Sequence, residues 1–487
     1  MRRLKPISAK RRIEQLDTVL SREPGAFKER SERAGLLREQ GRYEEAKRDY
    51  LELIRLQPTD FGVLNDFGTL ALNAGYKDAA LSLFNEAVRH HPDNPMGRVN
   101  LANLLFLTDE KERAREHFEA ALRVDPDHVH AHRGMSNLLA EAGDEFGARW
   151  HRDKGFRTRF MTTLPYRGDK TPVRLLLLMS AVGGNTPVTS FLDDHYFETH
   201  VLVTEYYDPK VPLPLHDVVF NCVGDADICR RGLEAACMVV RRTPRPVINH
   251  PLAVLNTGRL SNVMRLRSVP NVIVPRMAAF KRRMLTGPEA SAFVASGGFI
   301  FPLLVRAPGF HTGQHFFRVE DLRELISTVA KIPGDDVWLI EQLDARDAHG
   351  MYRKLRVMMI DGKLYPLHLA ISKDWKVHYF RADMAASPEN RFVDREFLDD
   401  MDRAIGAPAV AALERICATL DLDYAGIDFA VNAEGKVLFF EANATMVMAP
   451  LSADPKWDYR RLAFDSVFAA VRRMIMDRAF QAKAASA

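Results

Sequence analysis

The feature that most constrains this sequence is a period of 34 residues in its first third. Four prolines keep that spacing: Pro24, Pro58, Pro92 and Pro126. Four alanines keep it as well: Ala46, Ala80, Ala114 and Ala148. Glycine stands five residues before three of these alanines, at Gly41, Gly75 and Gly143, and Asp109 replaces it in the remaining copy. Self-similarity at a period of this length indicates a stack of short units rather than one globular core.

Each unit has the residue types expected of two packed helices. An aromatic residue follows three of the alanines by four positions: Tyr50, Phe84 and Phe118. Small alanines let the two helices approach closely, glycine supplies the left-handed turn between them, and proline ends the second helix. One helical hairpin cannot cover its own apolar face, so the units must stack. The pattern therefore predicts an all-α solenoid.

This pattern resembles the tetratricopeptide repeat family over residues 27 to about 155. We place a tetratricopeptide repeat domain at residues 1–161 and expect a leading helix, Ile7 to Ser21, to cap it. The resemblance implies a concave groove that binds a peptide or a partner protein. A second interpretation is that the repeats only dimerise the chain or brace a neighbouring domain.

The composition excludes several classes of protein. A chain of 487 residues with 47% apolar and 27% charged residues is globular but too long for a single core. Lys and Arg number 68 against 64 Asp and Glu, so the net charge of +4 predicts no nucleic-acid partner. No apolar run approaches the ~20 residues of a membrane span, and we expect a soluble, cytoplasmic protein. The four cysteines lack the spacing of a zinc site or redox pair and are expected to be reduced.

A different pattern begins after the repeats. Residues 162–172 hold two prolines, a glycine and mixed charge, and are predicted to form a linker. Strand-length apolar runs then alternate with helical stretches. The runs are Val173–Met179, Thr199–Thr204, Asp217–Cys222 and Pro246–Asn249. This alternation predicts a small α/β domain at residues 173–257, with a parallel sheet and helices on both faces.

Two strand patterns near the end of the chain, Tyr424–Val431 and Val437–Asn443, are separated by a turn. Glu441 and Asn443 share a face of the second strand, and the hairpin brings Asp428 within reach of them. Two carboxylates and an amide oxygen are hard ligands, so the hairpin predicts a Mg²⁺ site completed by nucleotide phosphates. The alternative is that these residues are solvent-facing strand ends without a function.

These residues resemble the ATP-grasp superfamily, in particular carboxylate–amine ligases such as the ribosomal-protein glutamate ligases and glutathione synthetases. The resemblance covers about residues 173–475 and is most specific over 300–446. It implies an α+β grasp domain at residues 258–480, in two subdomains with a hinge near 338–345, behind a pre-grasp α/β domain. It also implies ATP and one or two Mg²⁺ ions, with Mn²⁺ as a substitute, and acyl-phosphate chemistry on carboxylate and amine substrates.

The resemblance assigns roles to individual positions. The implied nucleotide-binding residues are Arg259, Arg306, Gly309, Gly313, Glu341, Gln342, Leu343, Asp344 and Asp347. Among them, the glycines would cover the phosphates, Glu341–Leu343 would hold adenine, and Asp344 or Asp347 would bind the ribose unless they are only turn carboxylates. Arg306 and Arg356 are the implied catalytic residues, because guanidinium groups neutralise phosphate. Arg259, Arg306 and Lys354 depart from the family's residue types.

Histidines near these positions are further candidates. His311 and His315 lie in the glycine loop. Three further residues follow the Arg356 strand: His368, Trp375 and His378. These three either line a pocket for the acceptor substrate or serve only in packing.

The sequence thus predicts an ATP-dependent ligase that forms a C–N bond on a peptide or protein held by the repeats, and the resemblance permits a homodimer. One alternative is a repeat scaffold whose grasp domain binds nucleotide without catalysis, which the substituted cationic positions favour. A second alternative is a repeat-linked glycosyltransferase.

Overall fold

The computed structural model of the chain describes residues 9–188, 191–310, 313–377, 379, 382–446, 448, 451–452 and 454–484. The chain divides into two compact units, Met1–Phe160 and Met161–Ala487. Among the described residues, no helix combines the length and the apolar character needed to cross a bilayer. The four cysteines are buried free thiols: Cys222, Cys229, Cys237 and Cys417.

The first unit is an array of helices. Within the described residues they are α1 Ala9–Arg22, α2 Phe27–Glu39, α3 Tyr43–Leu56, α4 Phe61–Asn73, α5 Lys77–His90, α6 Pro95–Leu107, α7 Lys111–Val124, α8 Val129–Glu141 and α9 Glu145–Phe156. After α1, consecutive helices pair into four hairpins, and neighbouring hairpins pack on each other. The predicted helical repeat array is confirmed. The described part of the leading helix begins at Ala9, since Ile7 lies outside the described residues.

The repeated residue types take the places that their chemistry predicts. The periodic alanines are fully buried, and the aromatic residues are 1% exposed: Tyr50, Phe84 and Phe118. Gly68 packs so closely that a Cβ there would lie 2.6 Å from the Phe84 ring. The turn glycine is replaced by Asp109, which adopts the left-handed conformation with φ of 65°. Aspartate tolerates this conformation better than most residues, so the third hairpin keeps its turn.

The second unit contains three sheets, and the first has the strand order β1-β3-β2-β4-β5. Its strands are β1 Met161–Thr163, β2 Val173–Met179, β3 Phe197–Val203, β4 Val218–Asn221 and β5 Val247–Ile248. Strands β2 to β5 are parallel, as predicted, but β1 runs antiparallel to β3. The antiparallel strand β1 lies before residues 173–257, the range for which a parallel sheet was predicted. Thr162 and Thr163, assigned to the linker, belong to a three-residue edge strand that has no apolar run to reveal it.

The remaining strands are β6 Val272–Ile273, β7 Met277–Lys281, β8 Leu303–Arg306, β9 Phe316–Val319, β10 Asp336–Glu341, β11 Tyr352–Ile360, β12 Lys363–Ser372, β13 Tyr424–Val431 and β14 Val437–Asn443. The small sheet, β7-β10-β8-β9, is antiparallel throughout. The large sheet has the order β12-β11-β13-β14-β6, and only β6 is parallel to its neighbour. The β13–β14 hairpin has the bounds that the sequence predicted.

The helices of this unit are α10 Arg230–Val240, α11 Pro251–Leu255, α12 Arg259–Leu266, α13 Arg282–Thr286, α14 Ala290–Ser296, α15 Leu322–Lys331, α16 Pro388–Asp399, α17 Met401–Ile405, α18 Ala407–Leu420 and α19 Arg461–Ala484. Short 3-10 helices lie at Thr204–Tyr206 and Pro455–Arg460. Helix α10 packs on one face of the first sheet, and α19 packs on the other.

Strand alternation gives each of the two remaining sheets an apolar face and an opposite face that carries polar side chains, the polar face. One end of the polar face of the large sheet, at Met358 and Tyr424, is apolar and packs on α19. On the small sheet, Val305 and Leu339 pack on helices α13 to α15, which leaves Arg306 on the opposite face. On the large sheet, Leu355 and Phe429 pack on α16 and α18, which leaves Arg356 and Asp428 on the opposite face. The polar faces are where the predicted site residues lie.

Candidate active site

Four polar side chains form a row across the large sheet. Arg356 on β11 is in register with His368 on β12 and with Asp428 on β13, and Asp428 is in register with Glu441 on β14. Residues directly opposite each other on antiparallel strands project from the same face. The row therefore brings together two of the predicted metal ligands and one predicted catalytic arginine.

Asp428 lies in the middle of this row and is only 5% exposed. Arg356 donates two hydrogen bonds to it, from Nε to Oδ1 at 2.5 Å and from Nη2 to Oδ2 at 2.8 Å. Lys354 Nζ lies 3.1 Å from Oδ2. Burial opposes ionisation, but the charges of Arg356 and Lys354 outweigh it and hold the pKa of Asp428 well below its usual range. Lys354, where the resembled family has an acid, is thus a second cation at this carboxylate.

Glu441 has its own guanidinium partner. Arg259, the first residue of α12, donates from Nη1 to Oε2 at 2.7 Å and from Nη2 to Oε1 at 2.8 Å. Burial opposes the charge of Glu441, but Arg259 lowers its pKa. The Asn443 amide donates to Glu441 Oε1 at 2.6 Å, and its Oδ1 accepts from the backbone and hydroxyl of Thr445 at 3.0 and 2.9 Å.

These three residues fit Mg²⁺ by donor chemistry, because carboxylate and amide oxygens are the ligands it prefers. Each of them is also hydrogen-bonded within the chain. A bound ion would therefore share Asp428 with Arg356 and Glu441 with Arg259. The three residues are suitable ligands for Mg²⁺, but a bound ion would compete with the two arginines for the carboxylate oxygens.

Arg306 ends β8 on the polar face of the small sheet and is 7% exposed. Its Nη2 donates to the Phe310 carbonyl, while its buried Nε has no hydrogen-bond partner in the described part of the chain. Its guanidinium carbon lies 5.4 Å from the centre of the Phe316 ring. Burial, together with the nearby charge of Arg259, lowers the pKa of Arg306 to about 10. Arg306 is thus a buried cation whose charge is incompletely compensated.

The glycine loop after β8 is described at both ends. Gly309 and Gly313 have φ of 81° and 76°, conformations that glycine adopts without strain. Lys376, from the loop after β12, donates to the carbonyl oxygens of Gly313 and, at 3.0 Å, of Phe316. Trp375 packs against the Phe316 ring at 5.3 Å between centroids. The end of β12 thereby contacts this loop.

Histidines of this region are only partly described. His311 and His378 lie outside the described residues. His315 packs edge-on against the Phe310 ring at 4.4 Å.

The predicted hinge adjoins a cavity of about 380 Å³ between the ends of β8, β9 and β10. Glu341, Gln342 and Asp344 line it, and Gln342 Oε1 accepts from Arg318 Nε at 2.6 Å. Asp344 is paired with Arg346 at 2.7 Å. Leu343 and Asp347 do not line this cavity.

Asp347 instead stabilises its own turn. Its carboxylate accepts from the backbone N–H groups of His349 and Met351 at 2.9 and 3.0 Å, and from Arg353 Nε at 3.0 Å. Of the two carboxylates suggested for a ribose, only Asp344 therefore faces the cavity at the hinge.

Two carboxylates near the site were not predicted, and the first, Asp227, is exposed. Asp227 accepts from the Arg259 backbone N–H at 3.2 Å, and partial desolvation by the surrounding residues raises its pKa. It follows the carboxyl end of β4, the edge where α/β sheets bind ligands, and that position was the available signal. Asp394 of α16 accepts from the Leu369 N–H at 2.6 Å and from the hydroxyls of Tyr379 and Tyr459 at 2.9 and 2.6 Å. No sequence pattern distinguishes Asp394 from a surface acid.

Comparisons with known proteins identify the repeats. Residues 32–60 and 71–138 each match a tetratricopeptide repeat model, so this region contains tetratricopeptide repeats. No curated protein sequence matches the chain.

Several solved structures are similar to part of the chain. MamA from Desulfovibrio magneticus RS-1 is 18% identical, with a TM-score of 0.29, over 31% of this chain and 87% of that one. YrrB, described as a tetratricopeptide protein with an unusual peptide-binding site, is 18% identical, with a TM-score of 0.27, over 31% and 78%. PilF of Pseudomonas aeruginosa is 20% identical, with a TM-score of 0.28, over 29% and 67%.

Proposed function

We propose that the second unit is an ATP- and Mg²⁺-dependent ligase of the ATP-grasp type. The observation that carries the proposal is Arg306, a guanidinium that is 7% exposed, with a buried Nε that has no partner in the described residues. A buried donor without a partner costs about 1–3 kcal/mol, and a ligand bound at this face would supply the missing acceptor. A nucleotide phosphate is an acceptor of the matching charge and geometry.

The large sheet supplies the other parts that phosphoryl transfer requires. Asp428, Glu441 and Asn443 would hold Mg²⁺, which when bound neutralises phosphate charge and polarises the phosphoryl group. Arg356 and Lys354 lie beside Asp428 and offer positive charge to an anion at this face. Arg259 orients Glu441 by a bidentate contact. The adenine base of ATP is proposed to enter the cavity beside Glu341 and Gln342.

The proposed reaction transfers the γ-phosphoryl group of ATP to a substrate carboxylate and then lets an amine displace phosphate. In this reaction Arg306 and Arg356 stabilise charge that builds on the transferring group, which lowers the barrier because they are fixed before the reaction begins. The tetratricopeptide repeats are proposed to bind the peptide or protein that carries the carboxylate or the amine.

The test is calorimetry with ATP and Mg²⁺, followed by measurement of ADP release with a panel of free amino acids and short peptides. Wild type is expected to bind ATP. Arg306→Ala is expected to weaken binding at least about tenfold, the equivalent of 1.4 kcal/mol. Glu441→Gln together with Asn443→Ala is expected to abolish ADP release. Glu414→Gln, on the exposed face of α18, is the matched control and is expected to behave as wild type. Unchanged ADP release in the Glu441 and Asn443 variant contradicts the proposal.

A second candidate is a scaffold whose grasp domain binds nucleotide without catalysis. The observation that favours it is that both carboxylates proposed to hold the metal are already bound by arginine side chains, Asp428 by Arg356 and Glu441 by Arg259. It predicts ATP binding that is independent of Mg²⁺ and no ADP release with any member of the panel. The same calorimetry therefore separates the two candidates.

A further inference from the structure

His368 is a member of the polar row to which the proposed function gives no role. The side chain is 6% exposed, and its Nε2 is buried without a hydrogen-bond partner in the described residues. Leaving this atom unsatisfied destabilises the fold, and an apolar residue at the same place would avoid that cost. Because His368 faces the same side of the sheet as Arg356 and Asp428, its unpaired atom is at the edge of the candidate site.

Contacts on both sides of His368 hold its strand in position. Among the described strands, β12 is at the edge of the large sheet, so no described strand pairs with its outward backbone groups. Asp394 accepts from the Leu369 N–H at 2.6 Å, and Arg460 donates to the Leu367 carbonyl at 3.3 Å. The residues before and after His368 are therefore fixed by buried charged groups, which restricts where its ring can lie.

The surroundings of the ring determine its charge. Tyr379 packs against it with 4.6 Å between ring centroids, and Arg460 lies over the Tyr379 ring at 4.1 Å. Burial and the charges of Arg356 and Arg460 lower the pKa of His368 well below its ordinary value, while Asp428 opposes this and Lys354 adds to it. The imidazole is neutral at pH 7 and offers one N–H donor and one lone pair beside a group of cations.

We propose that His368 binds the acyl group of the substrate, so that the carboxylate to be activated lies between His368 and Arg356 at the β12 edge. The inference rests on the proposed function and deepens it. Arg356 and Lys354 attract any anion, whereas a neutral imidazole donates to a carbonyl or carboxylate oxygen at a fixed place. His368 thereby distinguishes a ligand that has an acyl oxygen next to its phosphate from inorganic phosphate.

The probe is phosphonoacetate, a stable ligand with a phosphonate and a carboxylate, titrated calorimetrically into the full chain. His368→Ala is expected to weaken its binding at least about tenfold, and His368→Gln less, because the glutamine amide restores a donor. Affinities for inorganic phosphate and for ADP with Mg²⁺ are expected to stay near the wild-type values. His349→Ala, at an exposed turn position, is the control and is expected to change nothing.

A second measurement uses the wild-type protein and does not depend on how the variants fold. Imidazole ¹⁵N resonances of the histidine-labelled chain are recorded, with His368 assigned by its absence from His368→Gln. Phosphonoacetate is expected to shift the His368 resonances. Unmoved His368 resonances, or equal phosphonoacetate affinity in wild type and His368→Ala, overturn the inference. If wild type does not bind ADP, the proposed nucleotide site is overturned. If phosphonoacetate binding depends on His368 in that case, the proposed acyl site is supported independently.

Discussion

At the scale of single residues, the charged side chains of the candidate site differ in whether they have a partner of opposite charge. Asp428 has two cationic partners and Glu441 has one, whereas Arg306 has a buried Nε with none in the described residues. Removing one member of a buried pair is costly because the other member stays buried and uncompensated. Substitutions in this row therefore affect folding as well as ligand binding, and the two effects need separate measurements.

Asp428→Asn is expected to lower the free energy of unfolding by about 3–5 kcal/mol at pH 7, because Arg356 and Lys354 lose their shared counter-charge. Urea unfolding followed by tryptophan fluorescence measures the change. Asp458→Asn, which breaks an exposed pair with Arg461, is the control and is expected to cost at most about 1 kcal/mol. Equal losses in the two variants would contradict the assignment of a buried charge network.

The pH dependence of the same variant follows from the depressed pKa of Asp428. A carboxylate with a pKa below its unfolded value stabilises the fold above that unfolded value, and the contribution is lost as pH falls through the folded pKa. Stability of wild type is thus expected to fall more steeply than that of Asp428→Asn as the solution is acidified below about pH 4.

At the scale of elements, the sequence was informative where a pattern is local. The β13–β14 hairpin was predicted to the residue because apolar runs flank a clear turn. Strand β1 was missed because three residues of an edge strand have no such run. The contact between Arg356 and Asp428 could not be predicted from local patterns. It requires β11 to pair with β13, which is distant in sequence, as well as with β12, which follows it directly. Asp394 was missed for the same reason, since Tyr379 and Tyr459 reach it only in the fold.

Close helix packing in the repeats predicts that two helical glycines respond differently to substitution by alanine. A Cβ on Gly134 of α8 would lie 2.2 Å from the Phe118 ring of α7, so Gly134→Ala is expected to destabilise the array by roughly 1–3 kcal/mol. A Cβ on Gly35 of α2 would have no atom within 4 Å, and Gly35→Ala is expected to stabilise by up to about 1 kcal/mol. Thermal unfolding followed by circular dichroism compares them. A destabilised Gly35→Ala, or a neutral Gly134→Ala, would refute this account of the packing.

At the scale of the whole molecule, the chain consists of two units with separate cores. Phe118 lies in the core of the repeats and Phe429 in the core behind the large sheet, and no core cluster of described residues includes members of both units. Two substitutions at residues that share no contacts change the free energy of unfolding additively. A substitution in one core is therefore expected to leave the other core intact.

Phe118→Ala and Phe429→Ala are each expected to cost about 3–5 kcal/mol, since each removes a fully buried ring. Scanning calorimetry is expected to show two transitions, with each variant lowering the midpoint of a different one. ATP affinity is expected to be unchanged in Phe118→Ala. If both variants lower the same transition, the units unfold as one and the division fails.

The buried cysteines have a practical consequence for solution experiments. Burial raises the pKa of every one of these thiols, and a thiol reacts with maleimides only as the thiolate. A single cysteine introduced on an exposed helix would therefore be labelled far faster than the native four. Fluorophores or spin labels can be attached to this chain one site at a time without first replacing its own sulfur atoms.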